Sequence, residues 1–403
     1  MLLKYGSEKI EVNLPESAVY MEIENPAPEI DRESFTANLV SLIPEKKKGK
    51  LSLVVSDKTR LCGYGEFLPW VIEAAGKKGF NRDSITVFIA YGTHPFQSDD
   101  ESERAYGDSF HNLRFVHHDC DDLASMVKMG TTSRGTQVMV RKEIIESEAV
   151  ILFGAISHHY FAGYGGGRKL IFPGLASREA IYHNHKLFID FNTRILHPGC
   201  QSGKLEGNPV AEDLKEIDSF FPDKVIVSGI LNKKGEVIRL MAGKKYEDFV
   251  SACNTYDSIY RKSGMEKFDA VIASAGGYPK DINFIQTHKS VHNAASFVKD
   301  GGTLLLLGEC RDGIGNESFK KIFDEPREKA VISLGKHYSG NGGTALSMMS
   351  KTERINIFMV TSLDADTCSK IGVKKLSADE INPLISAMKG NIACIENASI
   401  VYM

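Results

Sequence analysis

Three times in the first 170 residues a short apolar run stops abruptly at a polar segment carrying glycine, histidine or arginine, and this repeated break limits the possible folds most. The runs are 51–55, 84–90 and 149–153. All three read as strands, and 149–153, apolar throughout, as one buried on both faces, as in a parallel sheet. In an open α/β sheet, the loops at the carboxyl ends of the strands are where ligands bind. The three segments placed there are Ser56-Asp57-Lys58-Thr59-Arg60, Tyr91-Gly92-Thr93-His94-Pro95 and the long stretch from 154 to 176.

Helical spacing fills the intervals, over 34–42 and 67–78. Ser98-Asp-Asp-Glu101 is a capping box that starts another helix, and Ser177 is an N-cap for a helix carrying His183 and His185. Residues 2–14 read as a hairpin, 113–116, 135–140 and 220–227 as further strands, and 244–262 as a helical connection. The pattern resumes with a strand at 268–273, a helix at about 283–299 and a strand at 303–308. Gly313-Ile-Gly315 is only part of a dinucleotide fingerprint and reads as a strand-to-helix turn. A chain of 403 residues exceeds what one hydrophobic core usually serves. The expectation is therefore two α/β domains, 1–264 and 265–403, with the active site in the cleft between them.

Composition narrows the partners. Hydrophobic and charged residues make up 42% and 25% of the chain, ordinary for a globular protein and unlike a disordered or fibrous one. Net charge is −3, and the one lysine run, Lys46-Lys47-Lys48, reads as a solvated loop, so nucleic acid is not an expected partner. The 7 cysteines are scattered without a Cys-x-x-Cys pair, which fits a reducing compartment. With no apolar run near the roughly 18 residues of a membrane span and no signal-like start, a cytoplasmic protein without membrane association is expected.

The chemistry concentrates in residues 148–186. Gly163, Gly165, Gly166 and Gly167 precede Arg168-Lys169, but a Walker loop needs Gly-Lys-Ser/Thr and Leu170 stands in its place. His183 and His185, two apart on a helix, point to different sides, so at most one serves a given metal. Elsewhere, Gln286 and Lys289, three apart, share a helix face. By spacing alone they are no more than a solvated pair.

The segment His159-Tyr-Phe-Ala-Gly-Tyr-Gly-Gly-Gly-Arg-Lys169, continued by Pro173-Gly-Leu-Ala-Ser-Arg-Glu179 and His185, closely resembles the central motif of the nickel-pincer-dependent lactate racemase family. The resemblance implies inversion of C2 of a 2-hydroxy acid. The cofactor implied is a nickel-pincer nucleotide (nickel pyridinium-3-thioamide-5-thiocarboxylic acid mononucleotide), tethered at Lys169, with His185 ligating the nickel and Arg168, Gly166 and Gly167 forming the rest of its cradle. It selects His159 over His158 as one acid/base residue and, through Gly-Thr-His, His94 as the other. Arg60 of the Asp-x-Thr-Arg segment becomes the carboxylate clamp. Gln286 and Lys289, after Gly-Tyr-Pro-x-Asp, become substrate-binding, with Lys289 also catalytic. The enzymes that synthesise the cofactor are implied partners. Two departures concern the substrate: Ile285 stands where lactate-specific members have an aromatic residue, and the only tryptophan is Trp70, so a 2-hydroxy acid other than lactate fits equally. Two further readings stand beside this one: a cofactor-independent or zinc-assisted acid/base enzyme using His94, His159 and His185, and a non-catalytic protein that binds a nucleotide cofactor.

Overall fold

The computed structural model of the chain describes residues 1–262 and 264–403. The apolar runs do form parallel strands, and they fall into two units of the α/β class. The larger unit comprises Asn25–Leu187 and Pro198–Ser258; the smaller comprises Met1–Glu24, Phe188–His197 and Ile259–Met403.

In the larger unit, a six-stranded sheet runs in the order Val237–Gly243, Val225–Leu231, Ala149–Ala155, Leu51–Ser56, Ile85–Ala90, Arg114–His117. All neighbours are parallel except the first pair, an antiparallel hairpin at the edge. Numbered along the chain, this is the doubly wound order 3-2-1-4-5-6. Its direction reverses between Leu51–Ser56 and Ala149–Ala155, which pair from Leu51 opposite Ala149 to Val55 opposite Phe153. At such a reversal the connections leave toward opposite faces of the sheet, so a crevice opens beyond the two strand ends. Arg60 follows the first of these strands, and His159 and Lys169 follow the second. The helices expected at 34–42 and 67–78 are Arg32–Leu42 and Tyr64–Lys77, and they cover the sheet with Leu39, Phe67, Leu68 and Val71 buried.

One buried tyrosine ties the crevice strands together. The Tyr64 hydroxyl accepts the Ser56 N–H at 2.8 Å and donates to the Phe153 carbonyl at 2.9 Å. The Ser56 carbonyl in turn accepts from the Tyr106 hydroxyl at 2.8 Å. The two backbone groups held by Tyr64 stand where the parallel ladder ends and would otherwise be buried without partners.

The smaller unit has its own six-stranded parallel sheet, ordered Lys374–Leu376, Asn356–Val360, Val298–Leu307, Phe268–Ser274, Ile392–Ile395, Val19–Met21. A single cut near 264 does not describe this division, because two early segments join the smaller unit. Val19–Met21 adds an edge strand to Ile392–Ile395, and Ile189 packs with Ala330, Val331, Leu334, Leu346 and Met349. A three-residue strand and a ten-residue excursion are too short to carry a periodic signal, so neither was visible in the sequence. Gly313 and Gly315 do take positive φ, 68° and 83°, in a turn leading to the helix Glu317–Ile322.

Tyr64→Phe removes both bonds and leaves the Ser56 N–H and Phe153 carbonyl buried and unmatched. We expect a loss of about 1–3 kcal/mol, measured as a lower urea midpoint for the larger unit; an unchanged midpoint would mean that the strand ends do not depend on this hydroxyl.

Candidate functional site

The Asp57-Lys58-Thr59-Arg60 turn forms because Asp57 caps it, accepting from the Thr59 N–H at 2.7 Å and the Thr59 hydroxyl at 2.6 Å. The other carboxylate oxygen of Asp57 bonds His94 Nδ1 at 2.7 Å. His94 is carried to it by the turn after Ile85–Ala90, closed by a hydrogen bond from the His94 N–H to the Tyr91 carbonyl at 3.0 Å. Burial alone would raise the Asp57 carboxyl, but the charge and hydrogen bond of His94, with Arg60 and Thr59 adding to them, hold it well below the usual carboxylate range. Asp57 is therefore anionic at neutral pH and fixes the Nδ1 proton of His94, which leaves Nε2 as the exchangeable position. The Asp57 side chain is 4% exposed against 35% for His94, so the histidine lies between a buried anion and the solvent side. The Arg60 guanidinium makes no hydrogen bond or ion pair among the described residues, and is available to an incoming anion.

The long segment after Ala149–Ala155 is not an irregular loop throughout. His158–His159 and Gly163–Tyr164 form a miniature antiparallel hairpin, with His158 opposite Tyr164 and His159 opposite Gly163. Alternation along a strand sends the two histidines to opposite faces. His158 binds Asp257 at 2.8 Å, while the His159 ring meets Phe161 edge-on at 4.6 Å between centroids. The Ala162 N–H donates to His159 Nδ1 at 3.3 Å. That nitrogen then carries no proton in the neutral ring, which places the ring proton on Nε2.

Phe161 is the meeting point of the segment. Besides His159, its ring contacts His185 at 5.0 Å and lies 5.7 Å from Lys169 Nζ. Lys169 is only 7% exposed, in the short turn Gly167–Leu170. The helix Arg178–Lys186 starts at its expected cap, Ser177, which accepts from the Ala180 N–H. It separates the two histidines as the spacing required: His183 Nε2 lies 3.1 Å from the Arg134 carbonyl, and His185 turns to Phe161. Burial first, then the charges of Lys169, Arg60 and His94, push the His185 imidazole down to about 3. Arg60, His94, Lys169 and His185 thus share one electrostatic neighbourhood, with Asp57 beside the first two, in which the His185 imidazole stays neutral.

Arg168, Gly166 and Gly167, expected in the cofactor's cradle, are packed into the body of the unit, and the three Arg168 guanidinium nitrogens are buried without a hydrogen-bond partner. The Arg168 guanidinium is 2% exposed and stacks 4.5 Å over the Phe249 ring, and burial pushes its pKa down. A Cβ on Gly166, at φ 75°, would meet the Ala155 carbonyl oxygen at 2.5 Å; one on Gly167, at φ 50°, would meet Phe249 at 2.5 Å. The protein's own packing demands glycine at both positions, so what the three residues visibly contact is the body of the unit.

In the smaller unit, the loop after Phe268–Ser274 leads into the helix Phe284–Ser296, capped by Asn283 through the Gln286 N–H at 3.0 Å. Lys289 Nζ donates to Gln286 Oε1 at 2.6 Å, so the shared face expected from their spacing exists.

Sequence reasoning passed over three residues. Asp57 was visible as the first residue of Asp-x-Thr-Arg, though nothing showed its partner. Phe161 lay inside the motif, but an aromatic residue signals no contact by itself. Asp257, on a helix a hundred residues downstream, had no local signal. Two further histidines are anchored in the fold: His118 Nε2 lies 3.0 Å from the Ala176 carbonyl and His117 Nδ1 2.8 Å from the Tyr91 hydroxyl. Among the described residues, the one group of His, Cys, Asp or Glu close enough to hold a metal unaided is Asp119-Cys120-Asp121, and Arg178 already occupies Asp121.

Residues 5–195 match the family described as the lactate racemase N-terminal domain, and residues 264–343 the lactate racemase C-terminal domain. A lactate racemase of Thermoanaerobacterium thermosaccharolyticum is 29% identical over 81% of this chain and 72% of its own length. Another, from Lactiplantibacillus plantarum, is 30% identical over 60% of this chain and 57% of its own length. The solved lactate racemase apoprotein from T. thermosaccharolyticum aligns with TM-score 0.86 at 24% identity, covering 100% of this chain and 99% of that one. A structure from Thermotoga maritima aligns with TM-score 0.69 at 15% identity, covering 95% and 100%. These two structures share the fold.

The Asp57–His94 contact makes stability acid-sensitive in a defined window. A carboxyl held below its unfolded value of about 3.9 contributes stability fully above that pH and loses it as the pH falls further. Asp57→Asn should therefore flatten the fall in urea midpoint below about pH 4; a slope identical to wild type would show that the contact contributes nothing.

Proposed function

The chain belongs to the lactate racemase family, and from that premise we propose that it inverts C2 of a 2-hydroxy carboxylic acid, as a racemase or epimerase dependent on a nickel-pincer nucleotide. The observation that carries the proposal is the single ring of Phe161 in contact with His159, His185 and Lys169, in the unit that also holds the Asp57–His94 pair and Arg60.

The donor set fits the cofactor. His185 is held neutral by burial and by the cations around it, the form in which imidazole ligates a metal. One imidazole cannot complete a metal site, so the remaining ligands must come from a bound group, and sulfur with imidazole suits nickel. A positive neighbourhood favours an anionic nucleotide, and the buried Lys169 amine is placed to tether it. When bound, the cofactor would supply the hydride acceptor that an all-protein site lacks. Arg168, Gly166 and Gly167 hold the turn that carries Lys169 and are proposed to line the cofactor's cradle with it.

The chain's own residues do the rest. The Arg60 fork matches the substrate carboxylate. His94, with Nδ1 committed to Asp57, offers the Nε2 lone pair to the hydroxyl proton, and the Asp57 anion stabilises the imidazolium that results. His159 as the imidazolium would be the complementary donor, returning to the neutral ring as it gives its proton, and the roles exchange in the reverse direction. Gln286 and Lys289 are proposed for the substrate's polar groups, supported by family membership and by their shared face. Lactate is not singled out: Ile285 precedes Gln286, and Trp70 packs with Phe35 and Phe67. A zinc-assisted enzyme would need about three protein ligands at one point, and the described residues gather no such group around His94, His159 and His185. A mere carrier would not need an anion-paired histidine or a guanidinium left available. The cofactor-synthesis enzymes are the partners the proposal requires, and a cytoplasmic site of action fits it. Among the described residues, no helix is long and apolar enough to cross a membrane.

Protein produced together with the cofactor-synthesis enzymes should contain nickel near one atom per chain, and His185→Ala should lose it. Full nickel occupancy in that variant would reassign the ligand. His94→Ala and His159→Ala should each keep the metal while losing about 10²–10⁴ of the turnover rate in both directions, measured by chiral separation of the products.

A further inference from the structure

We infer that Asp257 is a positioning residue for His159, acting through the hairpin that carries it; the inference rests on the assignment of His159 as an acid/base group. Two strands of two residues each cannot hold their own shape, since even longer isolated hairpins are marginal in water. Something outside must fix His158–His159 against Gly163–Tyr164. Asp257, near the end of the helix Tyr246–Tyr260, does so with both carboxylate oxygens. Oδ1 binds His158 Nε2 at 2.8 Å and Oδ2 accepts from the Tyr164 hydroxyl at 2.7 Å. His158 and Tyr164 are the directly opposed pair of the hairpin, so the carboxylate joins one strand to the other.

The clamp is confined to one face. The His158 side chain is 2% exposed and Asp257 16%, and the neighbouring Tyr256 ring meets His158 edge-on at 4.9 Å. From a second direction, the Gly203 N–H donates to the Gly163 carbonyl at 2.9 Å, and the Lys204 carbonyl oxygen lies where a Cβ on Gly163 would stand, 2.4 Å away. The other face is left to His159 and its contact with Phe161. Because side chains alternate along a strand, a hairpin pinned through His158 and Tyr164 presents His159 in one fixed direction, and a slip by one residue would exchange the two histidines. Two donors meeting at one group also explain the residue type. A carboxylate offers an acceptor to each, and a carboxamide to only one.

The test uses the cofactor-loaded enzyme. Asp257→Ala should lower kcat by about 10- to 100-fold, the scale of a slightly misplaced catalytic group, with nickel per chain and the apparent KM unchanged. Asp257→Asn, which keeps one acceptor, should fall between Asp257→Ala and wild type. The discriminating readout is the double variant: in a His159→Ala background Asp257→Ala should cost nothing further, because the residue it positions is gone. Hydrogen exchange at the amides of 158–164 should accelerate in Asp257→Ala without cofactor or substrate, a readout that holds even if the assigned activity is wrong. A kcat close to wild type in Asp257→Ala, the same fold loss in the His159→Ala background, or unchanged exchange in the hairpin would each overturn the inference. Absence of turnover in the loaded wild type would instead count against the assigned activity and leave the exchange result to decide the role of Asp257.

Discussion

The parallel pairing of Leu51–Ser56 with Ala149–Ala155 is the constraint on which the rest of the larger unit depends. It brings together two strands nearly a hundred residues apart, at the place where the strand order reverses. The carboxyl ends of neighbouring strands that lead in opposite directions leave backbone groups with no ladder partner, and Tyr64 supplies them on both strands. The chemistry-bearing segments are continuations of these strands and of Ile85–Ala90 beside them. Their proximity is a property of the sheet before any loop contact is made.

On that frame the charges are distributed unevenly. Asp57 is consumed by His94, Asp257 by His158 and Tyr164, and Asp218 by Lys224 at 3.1 Å. Burial, with the charges of Lys169, Arg60 and His94 around it, suppresses the protonation of His185. A group of cations around a neutral imidazole is a favourable setting for a bound anion. The carboxylate substrate and the nucleotide cofactor proposed for this chain both suit that setting. The same grouping explains why His94 and His159 present different faces of the imidazole: one Nδ1 is bound to a carboxylate and the other accepts a backbone N–H.

Much of this was legible in the sequence because it is local. Apolar runs gave the strands, Ser98 and Ser177 gave helix starts with the expected cap bonds, and a two-residue spacing separated His183 from His185. The choice of His159 over His158 came from resemblance; strand alternation sends the two rings to opposite faces. What could not be read is non-local or too short for periodicity. The edge strand Val19–Met21 and the excursion Phe188–His197 carry no pattern of their own. The bonds from Asp57 to His94 and from Asp257 to His158 join residues 37 and 99 positions apart. Two of the glycines before Lys169 are required by close contacts with Ala155 and Phe249, a constraint visible only once the neighbours are placed.

The proposal turns on the fate of the C2 hydrogen: the bound cofactor would supply a hydride acceptor that keeps it from solvent, while His94 and His159 would handle only the hydroxyl proton. The most direct measurement is the isotope at C2 of the product when one enantiomer of an accepted 2-hydroxy acid is turned over by the loaded enzyme in D₂O, followed by NMR or mass spectrometry. The account predicts protium retained at C2 of the newly formed enantiomer. Extensive deuterium at that carbon would contradict it and show that a histidine removes the C2 hydrogen as a proton.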